Sequence, residues 1–123
     1  MIHFKSTVNF DKLHPAIVLA LHIANEIWES HGYSELWITS ANDGFHAGQP
    51  VSGEQLDPHF TGRAVDIRIK SEHPWDIQMF SAETKSMLVK ALKSRLAPQF
   101  VIIHEAKGTD NEHVHLQYGH IAV

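Results

Sequence analysis

Cysteine is absent from this chain. Its absence excludes disulfide staples and thiolate metal sites, so any metal must be held by histidine and carboxylate groups. Long apolar runs are missing as well, since no stretch approaches the roughly 20 residues that cross a bilayer. The opening Met1-Ile2-His3-Phe4-Lys5 has no basic-then-apolar region. The chain is therefore expected to carry no signal peptide, to be made in the cytoplasm and not to insert into a membrane. Basic residues are few and scattered: 10 Lys and Arg stand against 14 Asp and Glu, for a formal charge of −4. With no basic stripe, nucleic acid is not an expected partner.

What is present describes a soluble globular domain. The 123 residues are 43% hydrophobic and 20% charged, which is enough for one core and one domain spanning 1–123. Histidine is the unusual residue. Protonating all 11 would move the charge from −4 to +7, so behaviour should change between about pH 7 and pH 5. His3, His14, His22, His31 and His73 have no partner spacing and are read as solvated.

Along the chain, residues 1–10 alternate weakly and suit a short edge strand or an arm. From about Asp11 to His31 the spacing of Leu13, Ile17, Ala20, Leu21, Ala24, Ile27 and Trp28 predicts a helix, with Pro15 in its first turn and Gly32 at its end. Leu36 to Ser40 reads as a strand. It feeds a polar segment from Ala41 to Pro58, rich in glycine and proline, that is a candidate wall for a site; whether calcium also binds there is left open. A strand is expected from about Ala64 to Lys70. A second helix follows from Ser81 to Leu96, with Met87, Leu88, Ala91, Leu92 and Leu96 on its apolar face. Strands from Phe100 to His104 and from near His113 complete an α+β domain. Its mainly antiparallel sheet is expected to carry two main helices on one face, with a zinc site on the other.

Two stretches carry the chemistry. In His59-Phe60-Thr61-Gly62-Arg63-Ala64-Val65-Asp66, a loop histidine precedes a strand on which Val65, Ile67 and Ile69 share one face and Asp66 and Arg68 the other. In Glu112-His113-Val114-His115-Leu116-Gln117-Tyr118, the residues Val114, Leu116 and Tyr118 alternate with His113, His115 and Gln117. If both strands turn their apolar faces to one core, His59, Asp66 and His115 form a two-histidine, one-carboxylate set with a fourth position for water. That composition belongs to catalytic rather than structural zinc. The plain alternative, for the first stretch alone, is a surface histidine before an ordinary strand; the second stretch is what displaces it.

His-x-x-Gly-Arg-Ala-x-Asp followed by isoleucine, together with Glu-His-Val-His, resembles the zinc peptidases of the D-alanyl-D-alanine carboxypeptidase and endolysin type, which share the fold of the hedgehog signalling domain. Thr39-Ser40 before Asp43-Gly44 and His46 is similar to the segment preceding that signature in its hedgehog-like form. The resemblance spans roughly residues 36 to 118. It implies one zinc ion held by His59, Asp66 and His115, with Glu112 at the acidic position three before the last ligand and His113 two before it. In the hedgehog branch a glutamate precedes the His-x-His by a few residues, a role that Glu105 fills if residues 107–111 are an extra turn. It also implies a peptidase acting on the peptide part of peptidoglycan, degrading cell wall as a monomer. The arginine that usually follows Thr-Ser in the carboxypeptidases is missing from Ser40-Ala41-Asn42-Asp43-Gly44. That favours an endopeptidase, and the domain is expected to act without an appended wall-binding module.

Zinc in such a set lowers the pKa of bound water to about 7 and polarises the scissile carbonyl. Glu112 is the first choice of general base. Its odd offset from His115 requires it to sit in the turn or at a bulge, because a regular strand would send the two to opposite faces. His113 faces the metal without that condition and would stabilise the oxyanion or donate a proton. Arg63 and Gln117 are candidate substrate contacts. Glu105 is read as structural or solvated, and His46 and His104 as loop and strand-end residues. The rival readings are a hedgehog-like zinc-containing binding module without turnover and a histidine-rich metal buffer.

Overall fold

The computed structural model describes residues 1–6, 13–41, 50–51, 55–56, 62–69, 80–109 and 111–119. Helix α1 (Pro15–Ser30) begins where His14 Nδ1 accepts the Ala16 N–H at 3.0 Å, so the imidazole does the work of a serine or aspartate cap. Pro15 occupies the first turn, where its missing N–H costs nothing. After His31 the chain turns at Gly32, whose φ of +88° suits a residue without Cβ. Helix α2 (Ala82–Leu96) is capped by Ser81, with Oγ accepting from the Thr84 N–H at 3.1 Å. Glu83 lies in its first turn and Lys93 and Arg95 in its last, each matching the sign of the helix dipole there.

The main sheet has the order β1-β2-β5-β7-β6, from β1 (Ile2–Phe4), β2 (Leu36–Ser40), β5 (Ala64–Arg68), β7 (His113–Tyr118) and β6 (Phe100–Glu105). β2 with β5, β5 with β7 and β7 with β6 run antiparallel, while β1 lies parallel to β2. The sheet is therefore mixed, which corrects the expectation of a mainly antiparallel one. The cause is α1: a parallel neighbour needs a long crossover, and the helix supplies it between β1 and β2. Within the segment expected to be a loop, β3 (Pro50–Val51) and β4 (Gln55–Leu56) form a small antiparallel pair. No helix among the described residues is long and apolar enough to cross a membrane.

One core lies between the helices and one face of the sheet. Ile17, Ala20, Leu21, Ala24, Ile27 and Trp28 of α1 and Leu88, Leu92 and Leu96 of α2 meet Leu36, Ile38, Val65, Ile67, Ile102, Val114 and Leu116 from the strands. Burying each of the larger side chains stabilises by about 1.5–3 kcal/mol. Met87 departs from its expected place and is 48% exposed. The position facing the sheet near the start of α2 is taken instead by Lys85, which is buried. His3 and His14 are not the loose surface groups the sequence implied: His3 stacks on Trp37 and pairs with Glu35, and His14 caps α1 against Tyr118.

Candidate metal centre

The side of the sheet away from the helices carries the polar residues of β5, β7 and β6. The antiparallel register sets them in rows: Asp66 opposite His115, and Arg68 opposite His113 opposite Glu105. Because paired residues share a face, these side chains rise together from three adjacent strands. One ligand atom each from Asp66, Glu105 and His115 lies within 4.8 Å of the other two, close enough to hold a metal ion. Asp66 and His115 were both expected in such a set. His59, the third expected ligand, lies outside the described residues, as do Asp43, Gly44 and His46.

The contacts fix how the imidazoles present themselves. Gln117 Nε2 donates to the Gly119 carbonyl at 2.9 Å, which turns its Oε1 toward His115 Nε2, also at 2.9 Å. His115 Nε2 donates to Gln117, and Nδ1 faces Asp66 Oδ1 at 3.3 Å, to which it donates when the ring is protonated and beside which it presents a lone pair when the ring is neutral. Gln117 is thus a positioning residue for His115 rather than a group turned to a substrate. His113 Nδ1 donates to the Asn111 carbonyl at 2.7 Å, and this orients Nε2 toward Glu105 Oε1 at 3.0 Å and Asp66 Oδ1 at 3.6 Å. Asp66, His113 and His115 are largely buried, whereas the Glu105 side chain is 44% exposed and forms the open rim.

Charge within the cluster shows in His115. Burial pushes its pKa down, but the bonds to Asp66 and Gln117 and the charges of Asp66 and Glu105 outweigh that and raise it above the ordinary histidine value. Opposite Asp66 on β2, the Ser40 hydroxyl is buried and has no hydrogen-bond partner among the described residues.

Glu112 does not join this cluster, and its assignment as the base is corrected here. Its alternation with Val114 and Leu116 sends it to the helix side, where Oε1 takes Lys85 Nζ and Oε2 takes His104 Nε2, both at 2.6 Å. Burial would raise its pKa; the bonds from Lys85 and His104, the Lys85 charge and a Gly108 backbone bond outweigh this and hold it below the ordinary glutamate value. Nothing turns this carboxylate toward Asp66. Arg63 lies just before β5, where its carbonyl accepts the Tyr118 N–H at 2.8 Å.

Comparison with known proteins identifies no relative. No family model, curated protein or solved structure gives a significant match to the chain. The residues themselves therefore carry the argument. One residue, Lys85, is not found by pattern reading, and another, Glu105, is ranked too low by it. Glu105 ranks behind Glu112 in the sequence because the strand is expected to end at His104, yet one more residue places it opposite His113. Lys85 was overlooked although it falls on the stripe Lys85, Leu88, Leu92, Leu96 at helical spacing.

Proposed function

We propose that the chain is a zinc-dependent peptidase that hydrolyses amide bonds in the stem or cross-link peptides of peptidoglycan. The observation that carries this reading is the approach of Asp66, Glu105 and His115 to within 4.8 Å on the open face of the sheet. The donor set suits zinc: imidazole nitrogen and carboxylate oxygen, with no sulfur in the chain. Asp66 and His115 would hold the ion with His59, the ligand that the sequence resemblance supplies. Bound there, zinc would acidify a water and polarise the scissile carbonyl. Glu105, the exposed member of that group, would take up a proton from water on Oε1 rather than serve as a permanent ligand. His113, 3.0 Å from that oxygen through Nε2, relays a proton to the departing amine or steadies the developing oxyanion. Gln117 keeps His115 in the tautomer that ligation needs.

The test is release of new amino groups from purified peptidoglycan, alongside zinc content. Activity should vanish with chelator, return with zinc and be absent in Asp66→Ala and His115→Ala. Cleavage that persists in chelator, or a purified protein that takes up no metal, refutes the proposal. The protein would act as a monomer and reach the wall by a release route of its own. A second reading, a hedgehog-like binding module that holds zinc without turnover, is favoured by the engagement of Glu112 with Lys85 and His104. It predicts stoichiometric zinc with no cleavage of any wall type.

A further inference from the structure

A second site lies on the opposite side of the β6–β7 hairpin, between α2 and the outer edge of β6. A cavity of about 780 Å³ opens there, lined by Lys85, Lys90, Lys93 and Lys107 with Glu112 as the one acidic group. Four ammonium groups against one carboxylate make this lining +3 in a chain whose net charge is −4. A cleft of one sign beside low-dielectric walls concentrates its field on whatever enters. Lys85 is already matched by Glu112, whereas Lys90, Lys93 and Lys107 are exposed and make no ion pair among the described residues. Val89 and Ile102 supply an apolar floor.

The strand wall of the cavity is a sheet edge. β6 ends the strand order, with β7 its sole neighbour among the described residues. The Gly119 N–H donates to the Gln99 carbonyl at 2.8 Å, so odd-numbered positions of β6 bond toward β7. By the alternation of an antiparallel ladder, Phe100, Ile102 and His104 turn their peptide groups outward, toward the cavity. Edges left open in this way are normally blunted by lysine, proline or a bulge on the strand itself. β6 reads Phe-Val-Ile-Ile-His-Glu and pairs with β7 in unbroken register, so it has none of these. Its lysines stand across the groove on α2 and in the following turn, where they would face an added strand.

We infer that this groove binds an extended acidic peptide as an extra strand on β6. The backbone of the peptide bonds to Ile102 and His104, and the face it turns to α2 carries its glutamates, whose methylenes rest on Val89 and Ile102 while their carboxylates meet Lys90, Lys93 and Lys107. The site is independent of the zinc proposal, because its lining shares no residue with the Asp66 cluster.

Fluorescence anisotropy with a labelled peptide of alternating valine and glutamate tests the inference on the full chain. Binding should weaken at least about tenfold when glutamine replaces glutamate, when Lys90→Glu and Lys93→Glu are combined, and when salt is raised. A peptide N-methylated at alternate residues should also bind at least about tenfold more weakly, because it cannot complete the ladder. Folding of the double variant is checked by circular dichroism, and both substitutions are at exposed positions. No binding, equal binding of the glutamate and glutamine peptides, or undiminished binding of the N-methylated one overturns the proposal. Self-association through β6 that the peptide does not compete with would instead assign the edge to a second copy.

Discussion

The two faces of the β6–β7 hairpin each carry a histidine–carboxylate group, and the third partner distinguishes them. On the helix side, His104 and Glu112 meet Lys85, and both carboxylate oxygens are taken at 2.6 Å. On the open side, His113, His115, Asp66 and Glu105 gather with no lysine among them. A buried carboxylate balanced by an ammonium group is complete and serves the fold. Two carboxylates and two imidazoles meet there, His115 with its pKa raised and Arg68 in the same row, and under the proposed function this group would hold a cation. The same residue types, one position apart in sequence, therefore have opposite roles.

The sharpest way to break this contrast is to exchange the acidic groups one at a time. Glu105→Gln should lower turnover by about 100- to 10,000-fold, the range of a general base. Its stability should stay within about 0.5 kcal/mol, as for most surface changes. Kinetics on wall peptides and a denaturant melt give both numbers, and unchanged turnover would return Glu105 to a solvated role. Glu112→Ala should do the reverse. Removing it strands Lys85 in the interior and should cost about 3–5 kcal/mol of unfolding free energy, while the zinc stoichiometry of the folded fraction is retained. A variant as stable as the parent would show that the inner group is not structural.

Smaller effects sharpen the same line. His113→Gln keeps a polar side chain near Glu105 but loses the ring that Asn111 orients, and should reduce activity or zinc affinity by about 10- to 100-fold. Competition with a chromophoric chelator separates the two. The inner carboxylate also has a signature in pH. Its pKa is depressed in the folded state, so its stabilisation is present above the unfolded value and is lost as pH falls through the folded one. The stability gap between the parent and Glu112→Gln should therefore be full at neutral pH and shrink below the ordinary carboxylate range. A gap that widens on acidification would reverse the sign and reject the assignment.

Much of the scaffold was readable from periodicity. Ile17 through Trp28 and Leu88 through Leu96 mark the helices, and alternation in Val65–Ile67 and Val114–Leu116 places Asp66 and His115 on one face. The parallel placement of β1 was not readable, because three residues carry too little pattern to choose a neighbour or a direction. Lys85 escaped because a charged residue on an apolar stripe looks like its solvated boundary until a buried partner is found, and that partner, Glu112, is 27 positions away. Glu105 is named in the sequence but ranks behind Glu112 for a more local reason, since the turn after β6 begins one residue later than polarity suggests. Parity did give the right warning about Glu112: an odd offset from His115 on a regular strand means the other face.

The hairpin therefore works as a selector. His104 and Glu105 enter the turn, Glu112 and His113 leave it, and Glu105 facing His113 decides which acid goes inward. That connection is shaped by Ala106 and Gly108, with φ values of +55° and +77°. Adding or deleting one residue within β6, upstream of that bend, would rotate Phe100 through Ile103 by half a repeat, turning Phe100 and the buried Ile102 outward and Val101 and Ile103 toward the core. Length in this strand is thus under tighter constraint than composition. A shorter or longer β6 would lose its packing against α2 and its alignment with Asp66 in a single step.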